Sequence, residues 1–189
     1  IPKEIIDIPN YGTLNIHPSI LPKYRGSSPI QSAILNQDKQ TGVTVMLVDE
    51  KMDHGPILST KRVKTYNRDY STLHNELAEL GAILLLKVIS QHITGQLSAK
   101  EQNHKKTTFT KILERDDGKI DWRMGAKQIH NLVRGLTHPY VGAYFMLDNN
   151  EYRVWKTQLV DCQGFDNIES GKIIDIDNHG YLLIKCAES

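Results

Sequence analysis

The sequence is short of cysteine, of long apolar runs and of charge imbalance, and each shortage removes a class of explanation. Its two cysteines, Cys162 and Cys186, have no CxxC spacing and no neighbouring histidine pair, so neither a disulfide scaffold nor a cysteine zinc site has a framework. Two inert thiols suit a reducing cytoplasm. The longest apolar run, Ala82 to Ile89, is broken by Lys87 and falls well short of the roughly 20 residues that cross a bilayer. Membrane attachment is therefore not expected. Lys and Arg number 23 against 22 Asp and Glu, a net charge of +1, which gives no global attraction to nucleic-acid phosphates or anionic lipid. Any nucleic-acid contact must come from a local patch. What remains is a 189-residue chain, 39% hydrophobic and 24% charged, long enough for one large domain or two small ones. Ile1 opens it without a signal-like charged start, and the natural start is expected upstream.

The apolar pattern predicts an α/β layer followed by a β-rich segment. Thr13 to His17 reads as a short strand stopped by Pro18, since proline donates no ladder hydrogen bond and restricts its predecessor. Ser28-Pro29-Ile30-Gln31 has the form of a capping box opening a helix to about Asn36. Gly42 to Val48 is apolar on both alternating faces, as in a strand covered on two sides. An acidic loop from Asp49 to Gly55, a strand from Ile57 to Val63, and a helix capped by Ser71 and ended by Gly95 follow. Residues 1–95 are thus expected to form an α/β domain and the polar residues 96–118 a linker. Residues 119–189 hold a helix from Met124 to Leu136 and then short strands with turns at Asp148-Asn149-Asn150 and Asn178-His179-Gly180, the pattern of a small β-barrel.

The chemistry gathers near the first strand. Asn15 and His17 are separated by one residue, so their side chains leave the same face of a strand. The loops after the first two strands are expected together at the sheet's carboxyl edge, which brings Asp53 to the same crevice. An amide, an imidazole and a carboxylate suit transfer of an acyl carbon between nitrogens. Asn15 could donate to the oxygen that becomes negative, His17 could stabilise that oxygen or shuttle protons, and Asp53 could orient the imidazole or take the amine proton. A metal site of His17, His54 and a carboxylate is weighed against this and lacks a dedicated spacing.

The segment Asn15-Ile16-His17-Pro18-Ser19-Ile20-Leu21-Pro22-Lys23-Tyr24-Arg25-Gly26-Ser27-Ser28-Pro29-Ile30 resembles the active-site pattern of folate-dependent formyltransferases. Thr41-Gly42-Val43-Thr44, with Asp49 through Asp53-His54-Gly55-Pro56-Ile57, is similar to their second segment. The resemblance implies 10-formyltetrahydrofolate as co-substrate, no metal, and a catalytic trio of Asn15, His17 and Asp53. It implies that Val48, Asp49, Glu50, Lys51 and Met52 help hold the pterin. It also implies an incomplete Rossmann-like formyltransferase domain, lacking the strands that open the family's sheet, followed by an OB-like β-barrel.

For the acceptor, the His130-Asn131-Leu132-Val133-Arg134 and Thr137-His138-Pro139 runs look closer to formyltransferases acting on nucleotide-linked amino sugars than to the methionyl-tRNA enzymes. Residues 119–189 carry eight Lys and Arg against nine Asp and Glu, a poor electrostatic footprint for tRNA. The expectation is therefore a nucleotide-sugar substrate met by Ser19, Tyr24, Arg25 and Tyr140, with Trp155 as a further stacking candidate. Methionyl-tRNA is the alternative acceptor, with Lys105, Lys106 and Lys111 as the one local basic group. A homodimer is allowed. A non-catalytic nucleotide-binding module is the reading from another class.

Overall fold

The computed structural model describes every residue except 162, 163, 166, 188 and 189. It divides into two compact units, residues 1–113 and 114–189. In the first, a helical turn α1 (Lys3–Ile6) precedes β1 (Leu14–His17), β2 (Arg25–Gly26), α2 (Pro29–Leu35), β3 (Gln40–Leu47), β4 (Ile57–Lys64), the long α3 (Tyr70–Ile93) and β5 (Phe109–Thr110).

The main sheet has the order β1-β3-β4, and both of its pairings are antiparallel. Central β3 is buried on both faces from Thr41 to Met46, so its side chains cannot alternate between oil and water and are apolar or small throughout. α3 lays Leu73, Leu77, Gly81, Leu84 and Val88 onto the sheet, a three-and-four spacing that forms one helical stripe. A Cβ at Gly81 would stand 3.0 Å from Ile16 and 3.3 Å from Val43, which puts α3 on the face opposite Asn15 and His17.

Two helix starts differ from expectation. α3 is capped by Asp69, whose side chain accepts from Thr72 N at 2.9 Å, rather than by Ser71. A carboxylate at this position also suits the helix dipole. Ser28 precedes α2 without a side-chain cap: its own N–H donates to Thr110 Oγ1 at 3.0 Å. Gln31 is buried, and the contact with Thr110 stands where the reciprocal box was expected.

The second unit contains α4 (Ala126–Gly135), β6 (Ala143–Leu147), β7 (Asn150–Val154), β8 (Ile173–Ile176) and β9 (Leu182–Ile184). α4 buries Ile129, Leu132 and Val133. The β6–β7 hairpin turns on Asp148 and Asn149, at φ 48° and 61°, the left-handed pair that a two-residue hairpin turn requires. The expected closed barrel is not what the described residues form. β6–β7 and β8–β9 are separate two-stranded sheets, because turn chemistry specifies a hairpin locally whereas closure needs ladders between hairpins. No helix among the described residues is long and apolar enough to cross a membrane. Cys186 is a free thiol whose pKa burial pushes up; Cys162 lies outside the described residues.

Candidate functional site

β1 positions the first two groups. Asn15 and His17 project from one face, and both reach Asp53: Asn15 Nδ2 donates to Oδ1 at 3.5 Å, and His17 Nδ1 faces Oδ2 at 3.5 Å. Asp53 Oδ2 also accepts from Gly26 N at 2.8 Å. His17 is only 4% exposed. Its Nε2 donates to the Tyr24 carbonyl at 2.8 Å, which holds the ring and leaves the Nδ1 edge toward Asp53.

The route by which Asp53 arrives differs from the sequence expectation. Because β1 and β3 are antiparallel, with His17 opposite Thr44 and Leu14 opposite Leu47, the loops that follow them leave opposite ends of the sheet. No common carboxyl edge joins them. Residues 48–56 instead fold back over the strand face, through a left-handed Asp53 at φ 49° and Gly55, where a Cβ would collide with the Leu47 carbonyl oxygen.

A second set of residues, read from sequence only as polar linker, supports this arrangement. Gln102 Nε2 donates to the carbonyls of Asp53 at 2.9 Å and Gly55 at 2.7 Å, and its Oε1 accepts from Arg25 Nη2 at 2.6 Å. Arg25 Nη2 also lies 3.0 Å from His104 Nδ1. The His104 ring stacks on His54 with centroids 4.1 Å apart and planes within 3°, and His54 Nδ1 bonds Asp49 Oδ2 at 2.6 Å. β5 runs parallel to β2. Thr108 Oγ1 accepts from Tyr24 N at 2.9 Å, and the Thr108 carbonyl accepts from Arg25 N at 2.9 Å. The signal that could have found these residues is Thr107-Thr108-Phe109-Thr110, a β-branched and aromatic run short enough to pass as loop.

The remaining candidates are placed as follows. Val48 N bonds the Thr13 carbonyl at 2.7 Å, Asp49 is engaged by His54, and Glu50, Lys51 and Met52 are exposed on the loop. Ser19 is fully buried, its hydroxyl on the Lys23 carbonyl at 2.5 Å. Tyr24 is buried, its Oη accepts from Asn36 at 3.0 Å, and burial raises its phenol pKa. Arg25 is 3% exposed; burial lowers its guanidinium pKa, against the opposing pull of Asp49 and Asp53. Tyr140 lies in the other unit, where its N–H turns back to Thr137 at 3.1 Å. Trp155 covers Gly142, where a Cβ would meet the indole at 3.0 Å.

Among the described residues, no group of three or more His, Cys, Asp and Glu could hold a metal ion. A surface cavity of about 300 Å³ lies between Lys23, Tyr24, Lys39, Thr41 and Arg62; Asn15, His17 and Asp53 do not line it.

The family model for formyl transferase matches residues 1–89, and that for the formyl transferase C-terminal domain matches residues 112–189. The chain belongs to the formyl transferase family. It is 37% identical to a methionyl-tRNA formyltransferase of Caldanaerobacter subterraneus over the whole chain and 60% of that protein. It is 41% identical to one of Thermodesulfovibrio yellowstonii over 94% of the chain and 56% of that protein. The chain therefore spans less than two thirds of the length of these relatives. Solved structures share the fold. An N-formyltransferase of Helicobacter canadensis, in complex with folinic acid and dTDP-3-aminofucose, superposes with a TM-score of 0.72 at 21% identity, over 93% of this chain and 62% of that one. A methionyl-tRNA formyltransferase of Clostridium thermocellum does so with a TM-score of 0.68 at 19% identity, over 100% and 74%.

These findings overturn the amino-sugar expectation and, with it, the nucleotide-sugar partner. Relatives at 33 to 41% identity along most or all of the chain are methionyl-tRNA formyltransferases, whereas the likeness to the Helicobacter sugar enzyme is one of fold at 21% identity. Two short runs near Asn131 and His138 and the summed charge of residues 119–189 are weak grounds for an acceptor. Counterion release depends on cations clustered where phosphates lie, and a segment's net charge does not report that.

Proposed function

We propose that this chain carries the transfer centre of a 10-formyltetrahydrofolate-dependent formyltransferase whose acceptor is the amino group of methionyl-tRNA, acting in the cytoplasm. The observation that carries the chemistry is the meeting of Asn15, His17 and Asp53 within 3.5 Å contacts on one strand face. Similarity along the chain to methionyl-tRNA formyltransferases supports the acceptor.

The neutral amine attacks the formyl carbon borne on N10, and a tetrahedral centre with an anionic oxygen forms. Asn15 donates its amide hydrogen to that oxygen, where a placed donor is worth most. Asp53 takes the proton the amine loses, directly or through one water, and the same proton passes to N10 as the C–N10 bond breaks. His17, anchored through Tyr24, presents its Nδ1 edge to the same point. Val48 to Met52 flank the pterin, while the second unit binds the acceptor.

The test is transfer of labelled formyl from 10-formyltetrahydrofolate by the full-length protein to methionyl-tRNA, with uncharged tRNA and a dTDP-linked amino sugar as controls. Label in formylmethionyl-tRNA alone is expected. Label in the amino sugar, or in no acceptor while the protein is folded, refutes the proposal.

A further inference from the structure

The Asp53 turn is strained and has no regular structure to hold it. A non-glycine residue in the left-handed region costs of order 1 kcal/mol and persists only where its surroundings over-determine it. Asp53 is such a residue, at φ 49°, between an exposed Met52 and the compressed Gly55. What spans the turn is Gln102. Its amide nitrogen donates to the carbonyls of Asp53 and Gly55 at 2.9 and 2.7 Å, so the two carbonyls bracketing the bend converge on one NH₂ group.

The glutamine is itself fixed on every side. Its oxygen accepts from Arg25 at 2.6 Å, it is 5% exposed, and Lys100, two residues earlier, exchanges both backbone hydrogen bonds with Ile57 at 2.7 and 2.8 Å. That bridge ties the connecting segment to the start of β4, immediately after the turn. Arg25 precedes Gly26, whose N–H holds the Asp53 carboxylate at 2.8 Å. One amide side chain therefore touches the backbone of Asp53 on one side and the neighbour of its carboxylate's donor on the other.

We propose that Gln102 is a positioning residue for the formyl-transfer reaction, clamping the Asp53 turn so that the carboxylate stays between Asn15, His17 and Gly26. This rests on the function proposed above. The segment read as a linker is then part of the site's framework, and its role is orientation rather than contact with substrate. Misplacement of a reacting group by about 1 Å costs up to about 100-fold in rate.

The test uses Gln102→Ala and Gln102→Glu in the full-length protein. The glutamate keeps the Arg25 contact but turns an oxygen toward the two carbonyls. Expected for both is a fall in kcat of about 10- to 100-fold with KM for methionyl-tRNA within about threefold. Hydrogen exchange should rise about tenfold at the amides of residues 49–55 while those of β3 and α3 stay protected. If the alanine variant does not fold, the glutamate variant carries the test. Unchanged kcat, or unchanged exchange at residues 49–55, overturns the proposal. If the wild-type protein transfers formyl to no acceptor while the exchange behaves as expected, the transfer function falls and the clamp on the Asp53 turn stands.

Discussion

Replacing Asp53 by asparagine isolates charge from shape. In the native protein, Oδ2 accepts from Gly26 N at 2.8 Å and faces His17 Nδ1 at 3.5 Å, while Oδ1 accepts from Asn15 Nδ2 at 3.5 Å. A carboxylate accepts from both N–H donors, Gly26 and Asn15; an amide has one oxygen and one NH₂ group. Whichever way the substituted side chain turns, its NH₂ opposes either the Gly26 N–H or the Asn15 amide. The lost bond to a charged acceptor is worth about 1.5–3 kcal/mol when made, and part of it survives through the amide oxygen. Stability should therefore fall by about 1–2 kcal/mol, lowering Tm by roughly 2–8 °C. The larger effect is chemical. An amide takes no proton from the attacking amine, and loss of a placed general base costs about 10²- to 10⁴-fold, or about 3–5 kcal/mol of barrier. Single-turnover formyl transfer by the full-length protein, with thermal unfolding of the same sample, measures both. A transfer rate within about threefold of wild type in a folded Asp53→Asn variant would refute the assignment of Asp53 as proton acceptor.

Gly26→Ala should damage both fold and transfer. At φ +107°, with a Cβ placed 2.9 Å from the Thr110 carbonyl oxygen, the alanine is strained by about 1–3 kcal/mol, readable as a lower midpoint in urea, and transfer should drop as the amide that holds Asp53 moves. The second unit should lose stability in mild acid through His130, whose pKa burial lowers, with Arg134 adding to the effect. The unfolded chain then binds the proton more readily than the folded one, so stability is complete above about pH 6.5 and declines as pH falls from there through the folded-state value. His130→Asn should flatten that part of a Tm-against-pH curve, and an unchanged slope would count against this origin.

How much was legible is clearest at particular residues. The strand from Thr13 to His17 and the buried strand after Thr41 were readable because proline, glycine and β-branched runs act within a few residues of themselves. The long helix was readable for its apolar stripe, though its cap was misplaced by two residues: Asp69 and Ser71 are both good caps, and only the backbone entering α3 chooses between them. Gln102, His104 and Thr108 were illegible for another reason. Their partners are Asp53, His54 and Tyr24, about 50 or more positions away, and nothing in a polar stretch says what it will lie against. The acceptor is not legible in net charge and two short runs, which discriminate weakly beside similarity along the chain.

By itself, the order of residues determined that this chain makes a buried strand beside a short one bearing Asn15 and His17 on one face, since two-residue alternation follows from backbone geometry alone. It determined two hairpins, through turn residues that tolerate positive φ. Tertiary structure alone decided that β1 and β3 run antiparallel, that the acidic loop must consequently fold back across the strand to deliver Asp53, and that a polar connector becomes its support. Those outcomes depend on long-range hydrogen bonds whose partners are chosen only once the chain has collapsed, and no local preference encodes that choice.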